Sequence, residues 1–221
     1  MLDARLPSIE GTPPAPDAAN DSVRPSRQEA EAAVRTLIRW AGDRPAREGL
    51  ADTPARVVRA YEEWFGGYAL DPEQILGRTF DSAGYDDLVL LRDIPVQSVC
   101  EHHMATIRGV AHVAYLPGAR VVGISKLARL VDAYARRLQI QERLTAEIAD
   151  TLEQVLRPRG VAVVVQATHA CISSRGIGMH GVAMATRRLL GEFAQEPWRR
   201  DILAALAFPT GNLAPTRASD G

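Results

Sequence analysis

The feature that most constrains this chain is the order in which two kinds of hydrophobic periodicity follow one another. From Leu88 the residues read as strand, then as helix twice in succession, then as strand again. Leu88–Leu91 and Val96–Cys100 read as strand, broken at Pro95. Ile107–Leu116 is a second strand, Pro117-Gly118 a turn, and Arg120–Ile124 further strand. Ser125 is expected to cap a helix with Leu127, Leu130, Val131, Tyr134, Ala135 and Leu138 on one face. A second helix carries Leu144, Ile148, Leu152, Val155 and Leu156 and stops at Pro158 and Gly160. Val161–Cys171 is the clearest strand. A weaker one covers about Val182–Leu190, and Trp198–Leu206 is a terminal helix. Antiparallel neighbours need only a tight turn between them, whereas parallel neighbours need a crossover, usually a helix. Two consecutive helices flanked by strand pairs therefore predict an α+β fold. Its expected form is an antiparallel four-stranded sheet with a helix pair on one face, not a doubly wound sheet.

Ahead of this unit lies a helical region. Ser26-Arg27-Gln28-Glu29 fits a capping box, and Ala30, Ala33, Val34, Leu37, Ile38 and Ala41 follow at helical spacing. Thr53-Pro54 opens a second helix lined by Val57, Val58, Tyr61, Trp64 and Phe65. Residues 69–86 read as a mixed connector. Residues 1–25 hold five of the 14 prolines and no aromatic, which predicts a disordered tail. The expected organisation is thus a tail over 1–25, a helical region over 26–86, an α+β domain over 87–208 and a C-terminal tail over 209–221.

Composition narrows the function. Net charge is −1, without the basic excess of a nucleic-acid binder. No apolar run reaches the ~18 residues of a membrane helix, and no secretory signal is readable at Met1, so a cytoplasmic protein is expected. No dinucleotide fingerprint, P-loop or nucleophile elbow is present.

The chemistry-bearing residues concentrate at two strand ends. Cys100-Glu101-His102-His103 closes one strand and His169-Ala170-Cys171 another. If those ends meet, Cys100, His103 and Cys171 present two thiolates and an imidazole, a set that suits a catalytic zinc with an open fourth position. The alternative is two small buried thiols among satisfied histidines. His112 reads as a packed strand residue, and His180 carries no clear signal. Ser125, Lys126 and Arg129 stand at a helix start, where they form an anion site or are simply solvated. Lys126 is the only lysine among 26 basic residues. Arg175 adds a cation beyond Cys171. Gln141 and Glu142 lie between the two central helices, as readers of a purine edge or as an exposed helix start.

Taken together, these residues resemble GTP cyclohydrolase I. The likeness rests on Arg47–Leu50, Asp52–Val57, Cys100–His103, Val122–Arg129, Tyr134–Gln139, Gln141–Thr145, Pro158–Val163 and His169–Gly176, in that order, across roughly 29–206. The resemblance implies a tunnelling fold, in which sheets of several subunits close into barrels, and a homodecamer with active sites between subunits. It implies conversion of GTP to 7,8-dihydroneopterin triphosphate and formate. On its motif positions, Cys100, His103 and Cys171 would hold Zn²⁺, and His102 and His169 would transfer protons. Glu142, with Gln141, would read guanine. Lys126, Arg129, Arg175 and Arg56 would bind the triphosphate, and Ser125 would assist at the ribose.

Overall fold

The computed structural model describes residues 24–207. The two expected tails therefore lie, apart from Arg24 and Pro25, outside the described residues. The chain divides into two compact units, one ending at Val58 and the other beginning at Arg59.

In the first unit, helix α1 (Arg27–Trp40) starts with the expected capping box. The Glu29 N–H donates to the Ser26 hydroxyl at 3.3 Å, and the Ser26 N–H donates to the Glu29 carboxylate at 2.8 Å. Two of the N-terminal donors that a helix leaves unpaired are satisfied in this way. The apolar stripe is present, but no residue of α1 is buried. Helix α2 (Thr53–Trp64) opens at Thr53-Pro54 and continues into the second unit.

The second unit continues with helix α3 (Pro72–Leu76), whose first N–H groups are capped by the Asp71 carboxylate. Then follow strands β1 (Thr79–Asp81), β2 (Val89–Cys100), β3 (Thr106–Leu116) and β4 (Arg120–Val122). Next come helix α4 (Ile124–Ala135), strand β5 (Leu138–Gln139), helix α5 (Gln141–Leu156) and strand β6 (Gly160–His169). The turn α6 (Ala170–Ser173), strand β7 (Ala183–Gly191) and helix α7 (Trp198–Ala207) complete the unit. Strands β1 and β4 form a separate antiparallel ribbon. The mixed connector expected over 69–86 thus contains a helix and a strand.

The main sheet runs β5-β2-β3-β6-β7. Its four long strands are antiparallel, as expected. It has five strands rather than four, because β5 joins parallel to the edge of β2 through Val99↔Leu138 and Cys100↔Gln139. The chain between α4 and α5 runs beside the edge of β2. Two extended residues meet their backbone hydrogen bonds there, and the Glu101 N–H donates to the Gln139 carbonyl at 3.0 Å. A two-residue strand is too short to show alternation in a sequence.

Strand β2 is also continuous where a break was expected. The irregularity is a bulge between Leu91 and Ile94, with Asp93 at φ 56°, not an interruption at Pro95. β5 reaches β2 only at Val99 and Cys100, so the edge beside Pro95 is open and tolerates a residue without an N–H. His112 explains the bulge. The Asp93 N–H, freed from the regular ladder, donates to His112 Nδ1 at 3.1 Å.

One face of the sheet packs on α4 and α5. Ile94, Val96, Ala111, Val113, Val163 and Val165 meet Leu127, Leu130, Leu144, Ile148 and Leu152 in one apolar core. Each of these Val, Leu and Ile side chains contributes about 1.5–3 kcal/mol when fully buried. On the opposite face Ala114, Leu116 and Ala162 are covered by Phe193 and by Ile202 of α7. Gly109 marks where neighbouring strands close up. A Cβ there would stand 1.9 Å from the Gln166 carbonyl oxygen and 2.5 Å from the Ala167 Cα. Ala167, which pairs with Gly109 in the register, leads directly to the end of the sheet that carries the chemistry.

Candidate metal and catalytic site

Register brings the two cysteine-bearing segments to one end of the sheet. Ile107 near the start of β3 pairs with Ser98 on one side and with His169 on the other. β2 ends two residues beyond Ser98, at Cys100, and β6 ends at His169. The turn after Cys100 is tight. The Cys100 N–H donates to the Ala105 carbonyl and the Met104 N–H to the Cys100 carbonyl, both at 2.8 Å, with Met104 at φ 52°. This closure holds Glu101, His102 and His103 on the turn between the two strands. Cys100 itself is buried, packed with Ile107 and Ala167, and Cys171 packs against the same three residues.

Cys171 arrives by a different route from the one expected. It does not continue the strand on the face of His169. β6 stops at His169, and Cys171 lies in the single helical turn α6. A helical turn rather than strand alternation swings the thiol back over Cys100. The ligand atoms of Cys100, His103 and Cys171 all lie within 4.8 Å of one another. Burial, then the adjacent Cys100, push the Cys171 thiol up from its ordinary value, while Arg175 acts in the opposite sense.

The two further histidines flank this group. His102 is exposed, its Nδ1 4.0 Å from Cys100 Sγ and its Nε2 3.8 Å from the Glu101 carboxylate. Its ring and that of His103 stand 6.3 Å apart, edge to face. His169 is half-buried, and burial pushes it below its ordinary value, with the Glu142 carboxylate opposing the shift. His169 Nε2 lies 2.8 Å from Gln141 Oε1. Gln141 and Glu142 are the first two residues of α5. Gln141 is buried, whereas Glu142 is exposed at a cleft it shares with Thr145, Thr186, Arg187 and Arg188.

A polar network that the sequence did not reveal holds the turn in place. Arg143 pairs with Glu101 and also donates to Gln139 Oε1 at 3.1 Å. Buried Gln139 in turn donates to Glu147 at 2.7 Å and to the Tyr134 carbonyl at 3.1 Å. Glu101 and Arg143 are 42 residues apart, so no local pattern marks them.

Not every predicted residue joins this cluster by a contact. Helix α4 is capped by Gly123, not Ser125, which lies inside the first turn and is exposed. Gly123 has the extended backbone of an N-cap, at ψ 136°, but offers no side-chain acceptor. Lys126 donates to the Ile75 carbonyl near the end of α3, where a cation also complements the helix dipole. Arg129 and Arg175 are exposed. Arg56 belongs to the first unit, where it pairs with Asp52 at 3.2 Å.

Residues 30–207 match the family described as GTP cyclohydrolase I. The chain belongs to that family of enzymes. It is 58% identical over 180 residues to the GTP cyclohydrolase 1 of Maricaulis maris, covering 81% of this chain and 88% of that protein. The GTP cyclohydrolase 1 of Sinorhizobium fredii is 58% identical over 177 residues, covering 80% of this chain and 86% of its own length. That of Allorhizobium ampelinum is 60% identical over 174 residues, covering 78% and 87%. A crystal structure of an archaeosine synthase QueF-Like protein in the apo form aligns with 47% of this chain and 93% of its own. The TM-score is 0.40 at 23% identity.

In this GTP cyclohydrolase I chain the donor set fits a metal ion. A tetrahedral zinc with bonds of about 2.3 Å to sulfur and about 2.0–2.1 Å to nitrogen places its donors roughly 3.5–3.8 Å apart. The observed group needs a contraction of about 1.3 Å at most from its 4.8 Å span. Two thiols pressed together resist carrying two negative charges, and a dication supplies the charge that lets both ionise. Two thiolates and an imidazole also suit zinc better than a hard oxygen-seeking cation.

Proposed function

We propose that this protein is a zinc-dependent GTP cyclohydrolase that converts GTP and water to 7,8-dihydroneopterin triphosphate and formate. The observation that carries the reading is the convergence of Cys100, His103 and Cys171 within 4.8 Å, flanked by His102 and His169, in a GTP cyclohydrolase I chain. Cys100, His103 and Cys171 hold the ion. Bound by these three residues, zinc would supply the Lewis acidity that makes water nucleophilic near neutral pH.

The remaining steps belong to the chain's own side chains. His102, exposed beside the thiolates, protonates the imidazole-ring nitrogen of guanine and makes C8 electrophilic. His169 moves protons during ring opening and loss of C8 as formate. Glu142 accepts hydrogen bonds from guanine N1–H and from the exocyclic amine, with Gln141 beside it. Lys126, Arg129 and Arg175 bind the triphosphate; Arg56, of the first unit, is a further triphosphate-binding cation. The Lys126 ammonium has three protons and gives one to Ile75, which leaves two for a phosphate. Ser125 assists at the ribose.

The catalytic domain spans 87–208 and adopts the tunnelling fold, assembled as a cytoplasmic homodecamer with active sites between subunits. Two observations support assembly. Among the described residues strand β7 pairs only with β6, which leaves a nine-residue edge open. Leu37 and Trp40 of α1 are 63% and 86% exposed. Among the described residues no helix is long and apolar enough to cross a membrane.

The test is to incubate the zinc-loaded protein with GTP, oxidise the mixture and measure fluorescent neopterin together with formate. Both products are expected in equal amounts. Absence of both from protein carrying one zinc per subunit would overturn the reading.

A further inference from the structure

The hydrogen bonds around Gln141 have only one consistent direction. Gln141 is 1% exposed. Its amide nitrogen lies 3.0 Å from the Val165 carbonyl, 3.1 Å from the Met184 carbonyl and 3.1 Å from Thr186 Oγ1. Backbone carbonyls only accept, so the nitrogen of this amide must face β6 and β7 and its oxygen must face His169. The two threonines agree. Thr145 donates its hydroxyl proton to the Gln141 backbone carbonyl at 2.8 Å. Thr145 and Thr186 hydroxyls lie 2.6 Å apart, so Thr186 donates to Thr145 and keeps a lone pair for the Gln141 amide. A flipped amide would set its oxygen against two carbonyl oxygens in a buried site, a mismatch of unpaired acceptors. Gln141 Oε1 therefore presents only lone pairs to His169 Nε2, 2.8 Å away.

We infer that Gln141 is a positioning residue that locks His169 in the tautomer protonated at Nε2, leaving Nδ1 as the ring atom that accepts a proton. Gln141 acts through His169 rather than by touching the base, since both protons of its amide are committed to β6 and β7. The ring of a proton-transferring histidine must present the correct nitrogen, and the partner of the other nitrogen decides which one that is. The signal is long-range. Val165, Met184 and Thr186 lie 24, 43 and 45 residues from Gln141.

This inference rests on the assignment of proton transfer to His169 in the proposed reaction, but its first test does not use turnover. Solid-state NMR of ¹⁵N-histidine-labelled full-length protein, with His169→Ala to assign the signal, reads the protonated ring nitrogen directly. Wild type is expected to show His169 protonated at Nε2. A ring protonated at Nδ1, or an even mixture of tautomers, would overturn the lock whatever the protein does with GTP. In Gln141→Leu the signal should become a mixture, zinc content should stay at the wild-type level, and kcat should fall roughly 10²-fold, within the range a positioned acid or base contributes. KM for GTP should move less than about threefold. A raised KM with unchanged kcat would make Gln141 a direct substrate contact instead. If Gln141→Leu does not fold, Thr186→Val is the milder variant, and it should shift the same NMR signal toward a mixture.

Discussion

The middle of the sheet and its catalytic end are buried to the same depth by opposite means. Under α4 and α5, Ala111, Val113, Val163, Leu130, Leu144 and Ile148 are wholly buried and carry no polar side-chain atom. One short step along the same face, Gln139, Gln141 and Thr145 are almost as buried, yet every one is polar and bonded to named partners. The first region is held by non-directional burial, which depends on volume. The second is held by directed bonds, each with one allowed partner. A volume-conserving change should therefore be absorbed in the first and not in the second.

The largest effect should come from the ligand set. Cys171→Ser is expected to lose both metal and detectable turnover, whereas His102→Ala should keep the metal and lose the chemistry. Metal analysis beside the neopterin assay separates the two. Loss of zinc from His102→Ala with retention in His103→Ala would reverse their roles. Glu142→Gln keeps the size of an exposed side chain and removes its charge. GTP turnover should fall by up to ~10⁴-fold, with little gain for ATP, because a site built to hydrogen-bond a group penalises its mismatch heavily. Unchanged GTP affinity in this variant would mean that another group reads the base.

On the apolar side the scale is set by cavities. Phe193 is wholly buried beneath α7 and meets the Trp198 ring edge to face at 5.9 Å. Phe193→Ala should cost about 3–5 kcal/mol in denaturant unfolding. Leu130→Met, of nearly equal volume, should cost less than about 1.5 kcal/mol. A loss for Leu130→Met as large as that for Phe193→Ala would show that the apolar region does not absorb a volume-conserving change.

The smallest effect is a pH dependence at the β2 bulge. Burial pushes His112 below its ordinary value of 6.5, with Asp93 raising it and Arg92 adding to the drop. The unfolded chain then binds a proton more readily than the folded one, so stability increases with pH across that interval. The contribution is fully present above 6.5 and is lost as pH falls through the lower folded value. His112→Gln should flatten the slope of unfolding free energy against pH between about 7 and 5. An unchanged slope would show that the His112 ring does not titrate across that interval.

Several elements were legible because their causes are local. The capping box at Ser26, the helix pair behind Ile124 and Gln141, and the long antiparallel strands are written in spacing and in residue type. So were the three metal-binding candidates, since thiols and an imidazole gathered at strand ends are the donors a zinc ion takes. Other features depended on partners far along the chain. β5 exists because β2 offers a free edge, and Pro95 is tolerated because the same edge lies open beside it. The bulge at Asp93 is supported by His112, 19 residues away. Cys171 reaches Cys100 through a helical turn that two-residue alternation misdescribes.

What this sequence determined by itself was the inventory: which segments alternate, which turn every 3.6 residues, and which side chains bear thiol, imidazole, carboxylate or guanidinium. What only the tertiary structure decided was direction. It set which way the Gln141 amide faces, which carboxylate holds Arg143, and that the lone lysine gives a proton to the end of α3. The physical reason is that hydrophobic burial follows composition and period, both readable along a chain. A hydrogen bond needs a donor and an acceptor within about 3 Å in a fixed orientation, and folding alone brings such atoms together.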